Sequence, residues 1–211
     1  MPIDAPLMCS LIGAGGHAGV VADALWQNNP LTQIAIHDDN TALVGRTFLG
    51  LLPITSPIHP KELHDSCHVA IGSNRIRKIW TERILETNHK LLTVKHPKAA
   101  ISPMAVIEGG CFIAALSVVS VNARLGKSVI VNHGAIVDHD CQIGDYSHIA
   151  PHATLGGGVH IGQNTLVGAG AVVLPQCRVG RDVVIGAGSV VISNIPDGVV
   201  AKGVPARWDL S

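Results

Sequence analysis

The chain has 211 residues, with 15 Lys and Arg against 15 Asp and Glu and 47% hydrophobic residues. That length holds one large or two small domains with a real core. The balanced charge offers no basic stripe to a phosphate backbone, which sets nucleic acid aside as a partner and favours small ligands. Five cysteines without a CxxC pair fit a reducing cytoplasm. The N-terminus has no basic leader, and no apolar run reaches the roughly 18 residues of a membrane span. A soluble cytoplasmic protein is expected.

Leu7 to Ile12 is a short apolar run that feeds Gly13-Ala14-Gly15-Gly16-His17, and Val20, Val21, Ala24 and Leu25 follow at helical spacing. This reads as strand, glycine turn and helix. Such a turn lets backbone N–H groups approach a phosphate at the positive end of a helix. Gly13, Gly15 and Ala18 also satisfy the loose pattern GxGxx[GA], and after the run Ile34 to Ile36 comes Asp38-Asp39, placed for a ribose or base. The plain alternative is a turn that only brings strand and helix close together. Fewer than about 100 residues precede the repeat described below, half of a dinucleotide fold, so a mononucleotide suits the space better.

A third strand, Val69 to Ile71, runs into Gly72-Ser73-Asn74, and Ile76, Ile79, Trp80 and Ile84 mark an amphipathic helix capped by Ser73 or Asn74. Ligands of open parallel sheets sit beyond the carboxyl ends of the strands, so Gly13 to His17, Asp38-Asp39 and Gly72 to Asn74 are expected around one crevice. Of the nearby cations, Lys78 reads as part of a solvated helix face, and Arg77 is open to either role. Leu91 to Val94 reads as a last strand, and His96-Pro97 closes a first domain of residues 1–96.

From Ile101 to Val191 an aliphatic residue returns at every sixth position without a miss. Chance would produce this less than about once in ten million, so residues 97–211 read as a hexapeptide β-helix. Counting the aliphatic residue as the first of its hexad, the fifth is small or modest: Ala105, Cys111, Ser117, Ala123 and so on to Ser189. Both columns are expected to point inward. Three hexads close a triangular coil, so that residues 18 apart stack. Glycines at the second position, such as Gly144 and Gly162, are expected to serve the tight corners.

That register bears on chemistry. His133 and His139 are third-position residues and His148 is a sixth-position residue, outside both inward columns. Five of the 12 histidines are His133, His139, His148, His152 and His160. A zinc site is one explanation, although the spacing does not reproduce the ligand pattern of the gamma carbonic anhydrases. Acid–base chemistry is the other: Asp138-His139-Asp140 places an imidazole between two carboxylates, which fix its tautomer and raise its basicity.

Several blocks together resemble the left-handed β-helix acyltransferases, and within them the sugar-nucleotide N-acetyltransferases of the bacillosamine and perosamine type, in the family that also holds sialic acid O-acetyltransferases. They are Gly13 to His17, Asp38-Asp39, Ile71 to Asn74 with Ile76-Arg77, His96-Pro97, His139-Asp140-Cys141 with Gly144 and Ser147-His148, and Gly203 to Ala206. The resemblance implies a small Rossmann-like parallel βαβ domain followed by a left-handed parallel β-helix of hexapeptide repeats, assembled as a homotrimer with active sites between subunits. The handedness departs from the usual crossover preference. It implies His139 as general base oriented by Asp140, which is Glu in some relatives. Acetyl-CoA would meet His148 near its thioester, the Gly157 N–H at its thioester carbonyl, and Gly168, Ala169, Ala187 and Lys202 along its tail. Gly13, Gly15, Gly16, His17, Asp38, Asp39, Gly72, Asn74 and Arg77 would hold a nucleotide-linked sugar, and no metal is implied.

The implied reaction moves acetyl from acetyl-CoA to the 4-amino group of a nucleotide-linked 4-amino-4,6-dideoxy sugar used in surface glycans. Amide formation of this kind needs a base and an oxyanion donor but no acyl-enzyme. Cys141 lies in the inward column and is not expected to act as a nucleophile. Alternatives are O-acetylation of sialic acid, a non-catalytic trimeric scaffold, and a gamma carbonic anhydrase-like protein.

Overall fold

A computed structural model describes residues 7–209. The first domain is a sheet of strands β1 (Met8–Ile12), β2 (Gln33–His37), β3 (Thr47–Phe48), β4 (Leu52–Thr55), β5 (Ser66–Val69) and β6 (Lys90–Leu91), in the spatial order β3-β4-β2-β1-β5-β6. All neighbours are parallel except β3 with β4. Helices α1 (Gly16–Asn28) and α2 (Asn74–Glu86) cover it. Val21, Ala24 and Leu25 of α1 are buried against Cys9, Leu11 and Ile36, apolar positions that marked these elements in the sequence.

Three details differ from the sequence reading. The hairpin β3–β4 was not legible, because its strands are short and carry Pro53 and exposed residues instead of an apolar alternation. Strand β5 ends at Val69, two residues early, so Ala70 and Ile71 belong to the loop. The run from Leu91 to Val94 is divided: β6 joins the first sheet, whereas β7 (Val94–Lys95) pairs with Phe112–Ile113 in the coil. The coil therefore starts directly beside the first sheet.

From there each hexad contributes a two-residue strand that pairs in parallel with the strand 18 residues on, as Val118–Val119 does with Ile136–Val137. The result is a prism with three faces of seven, six and five strands. The first face contains Phe112–Ile113, Ile130–Val131 and His148–Ile149; the second contains Ile136–Val137 and Thr154–Leu155; the third contains Gln142–Ile143 and His160–Ile161. Both inward columns are buried from Cys111 to Ser189, while Ile101, Ala105 and Ile107 are only partly covered, since no coil lies beneath them. After Val191 the column moves two residues early, so that Ile195 and Ala201 complete the core.

The corners correct one expectation. Left-handed backbone falls on the fourth position of the hexad, as at Asn122 (φ 59°), Asp140 (φ 60°) and Gly158 (φ 69°), and not on the second. Second-position glycines are needed for closeness instead. A Cβ on Gly144 would collide with the Gly162–Gln163 backbone, and one on Gly162 with Gly180–Arg181.

The two domains share core. Outward-pointing Phe112 and Ile130 on the first face are fully buried beneath the first domain, each worth about 1.5–3 kcal/mol of burial. Since that domain sits on the first face, the edge between the second and third faces lies on the opposite side of the prism.

Candidate active site

His139 stands on that opposite edge. Its backbone N–H donates to Asp138 Oδ1 at 2.7 Å, and its Nδ1 pairs with Asp140 Oδ2 at 2.7 Å. With Nδ1–H donating to the carboxylate, Nε2 keeps its lone pair, the arrangement a general base requires. The Asp140 hydrogen bond, with Asp138 nearby, holds His139 above the usual imidazole pKa. Bonds from His139 and then Asn122 hold Asp140 below the usual carboxylate range. Asn122 Nδ2 donates to Asp140 Oδ1 at 3.1 Å from one coil below. Sequence reasoning missed Asn122, although its position 18 residues before Asp140 was a usable signal.

Gly157 lies one coil above, against the imidazole. A Cβ there would overlap His139 Nε2 and Cε1. The N–H groups of Gly156 and Gly158 donate to Val173 and His139 carbonyls. Among the described residues the N–H of Gly157 between them meets no acceptor. A lone pair and an unengaged donor thus adjoin, as proton removal and oxyanion stabilisation demand. Yet the His139 side chain is 53% exposed, so in a single chain water has free access.

The other expected cofactor residues lie elsewhere. His148 sits on the first face, where its Nε2 meets Asn132 Nδ2 at 3.1 Å. Burial pushes its pKa down to about 4, with Arg77 adding to the effect and a hydrogen bond to Gly72 opposing it, so the ring is neutral. Ala169 and Ala187 are exposed on the edge between the first and second faces, and Lys202 stands exposed above them. Gly168 on the same edge is buried, with no room for a Cβ against the backbone from Ile185 to Ala187.

In the first domain the Ala14 N–H donates to Asp38 Oδ2 at 2.8 Å, which ties the glycine turn to the end of β2. Beside Ala14, Gly15 and Gly16 lies a cavity of about 340 Å³, walled by Arg46, Phe48 and Leu49 from the β3–β4 region. Arg46 was also missed, because nothing in its local sequence marks it. Asp39 departs from the expected crevice: its Oδ1 accepts from the Ile58 N–H at 3.0 Å, and it borders a separate hollow with Trp80 and Arg83. Gly72 and Asn74 border a cleft with His148.

Arg77 requires the clearest correction. It is 1% exposed, and its guanidinium donates to Ser128 O (2.8 Å), Ile71 O (3.0 Å), Gly72 O (3.1 Å), Asn74 Oδ1 (2.8 Å) and Tyr146 O (2.6 Å), with Ser147 O at 3.4 Å. All five N–H donors of an arginine are thereby engaged, leaving none for a ligand. Arg77 joins the Gly72 loop to the β-helix. Ser73 occupies the N-cap position of α2 without a side-chain hydrogen bond, and Asn74 turns to Arg77 instead. His17 belongs to the same joint: it packs edge-on to Phe112 at 5.4 Å, its Nε2 is buried without a partner, and burial pushes its pKa down to about 3.

Residues 10–84 match the PglD N-terminal domain, and residues 122–157 and 158–193 match the bacterial transferase hexapeptide (six repeats). The acetyltransferase domain of PglB from Neisseria gonorrhoeae FA1090 is 36% identical, with 95% of this chain and 98% of that one aligned at a TM-score of 0.88. The chain belongs to the left-handed β-helix acetyltransferases with a PglD-type N-terminal domain. A histidine-to-alanine variant of GDP-perosamine N-acetyltransferase from Caulobacter crescentus, solved with CoA and GDP-perosamine, is 31% identical over the whole of both chains, TM-score 0.90. GDP-perosamine N-acetyltransferase of Escherichia coli O157:H7 is 37% identical over 145 residues, a segment spanning 66% of this chain and 66% of that protein. Among the described residues no helix is long and apolar enough to cross a membrane, and no group of three or more His, Cys, Asp or Glu side chains converges as a metal site would require.

Proposed function

We propose that this acetyltransferase moves acetyl from acetyl-CoA to the 4-amino group of a nucleotide-linked 4-amino-4,6-dideoxy sugar, supplying a surface glycan such as an O-antigen or lipopolysaccharide from the cytoplasm. The observation that carries the reading is His139 Nε2, left free by the pairing of Nδ1 with Asp140 and adjoining the unengaged Gly157 N–H. As the neutral amine attacks the thioester carbonyl, Nε2 takes the amine proton while the carbonyl oxygen gathers charge at the Gly157 N–H. Collapse of the tetrahedral adduct releases the CoA thiolate, which recovers that proton from the imidazolium. The solved relatives with CoA and GDP-perosamine support this substrate class. All five cysteines are free and buried, which suits the cytoplasm.

One chain does not assemble the whole site. His139 and Gly157 occupy one edge of the prism, Ala169, Ala187 and Lys202 another, and the glycine turn lies against the face opposite His139. The second face explains how copies would complete it. Its outward residues Val118, Ile136, Thr154, Val172 and Val190 form a half-buried, mostly apolar ladder, whereas the third face presents Arg124, Gln142, His160 and Arg178. Three copies with second faces turned to a common axis bring the His139 edge of each against the Ala187 edge of the next, a closed heterologous ring. This supports a homotrimer with shared sites.

The test incubates the protein with acetyl-CoA and a panel of GDP-, UDP- and dTDP-linked 4-amino-4,6-dideoxy sugars, with sialic acid as the competing acceptor. CoA release with an acetylated amino sugar is expected. Release with sialic acid alone, or with no acceptor in the panel, would overturn the assignment.

A further inference from the structure

We propose that Asn122 is a positioning residue of this reaction: it fixes Asp140 Oδ1 so that Oδ2 remains on His139 Nδ1. The inference rests on His139 being the base. Asn122 and Asp140 are 18 residues apart and both hold left-handed backbone, φ 59° and 60°. Their side chains therefore leave the edge in parallel, about 4.8 Å apart along the prism. Asn122 Nδ2 reaches Oδ1 at 3.1 Å while Oδ2 accepts from the imidazole at 2.7 Å. The Asp140 side chain is 57% exposed, and an exposed carboxylate exchanges its partners with water unless something holds it. Asn122 is the group that does so, and its amide leaves only one oxygen to turn toward the ring.

The opposite edge of the third face carries the same rung without the histidine. Asn164 Nδ2 donates to Asp182 Oδ1 at 2.6 Å, again from left-handed residues (φ 57° and 56°), but Asp182 follows Arg181. The rung is therefore a way of stacking corners, and at Asn122 it is coupled to a base. Asn164 shows what the rung is worth to the fold alone.

The experiment compares Asn122→Gly, Asn122→Asp, Asn164→Gly and His139→Ala in the intact protein by thermal unfolding, kcat, KM and the pH profile of kcat. Glycine keeps the left-handed backbone and removes the donor. For Asn122→Gly, kcat is expected to fall about tenfold with KM for both substrates within about twofold. The acid limb of its profile moves to lower pH, because a loosened Asp140 no longer raises His139. Asn164→Gly lowers the melting temperature comparably and leaves that limb in place. If glycine loosens the edge, Asn122→Asp decides: it is isosteric, tolerates the same backbone, repels Asp140, and lowers kcat at least as far. A folded Asn122 variant with wild-type kcat and limb, or an equal limb shift in Asn164→Gly, overturns the positioning role. Retained activity in His139→Ala overturns instead the base on which it rests.

Discussion

Removing Arg77 is expected to weaken the joint between the domains more than any other single change. The guanidinium joins Ile71 and Gly72 of the loop before α2 to Ser128 and Tyr146 on the β-helix, and no carboxylate is among its partners. Burial draws its pKa down to about 9, so it stays cationic at neutral pH. Each bond to a charged group contributes about 1.5–3 kcal/mol, but dehydrating the cation costs several kcal/mol, so the sum is not the net. Arg77→Ala leaves a cavity and several buried carbonyls unserved, and about 3–5 kcal/mol of stability is lost. Arg77→Lys restores at most three donors and loses about 2 kcal/mol. Urea titration followed by tryptophan fluorescence measures this, since Trp26 and Trp80 lie on the two helices of the first domain and Trp208 packs against the β-helix core. In Arg77→Ala the first domain should unfold before the β-helix, splitting the transition. A single transition within about 1 kcal/mol of wild type would refute the joint.

Acid should weaken the same junction. His17, His148 and the buried His68, edge-on to Phe112 at 6.3 Å, have folded pKa values pushed down by burial to about 3, 4 and 4 respectively, while the unfolded chain protonates them near 6.5. Stability is therefore complete above about pH 6.5 and is lost as pH falls toward about 4, at up to roughly 4 kcal/mol per pH unit for the three together. Urea midpoints that stay level from pH 7 to 5 would contradict this. His139→Asn should reduce kcat/KM by at least about two orders of magnitude with unchanged thermal stability, since the side chain is exposed; near-normal turnover in a folded variant would remove His139 from the mechanism. Gly157→Ala should fold yet lose about 10-fold to 100-fold in kcat, because its Cβ displaces Nε2. Full activity there would show that the ring does not need its place.

The coil was legible because its signal is periodic: an inward position recurs every six residues, and each miss would open a hole in the axis. His139, Asp140 and Gly157 became readable once that register was set and the resemblance was drawn. Arg77 was not, since a cation next to a glycine loop has the same sequence whether it faces a phosphate or a ring of carbonyls. Only the arrival of Ser128 and Tyr146, 51 and 69 residues away, decides between them. Asp39 was misplaced for a similar reason, its partner being the Ile58 N–H across the sheet. Corner glycines misled because their purpose, clearance from the next coil, depends on residues 18 positions on.

Subunit complementation tests the shared site most directly. His139→Ala disables one edge and Ala187→Trp blocks the other, so each pure variant should be inactive. In an equal mixture refolded into random trimers, about one interface in four joins an intact His139 edge to an intact Ala187 edge. Acetyl transfer to the nucleotide-linked amino sugar should return to about a quarter of the wild-type rate. A mixture as inactive as its components would contradict a site built between chains.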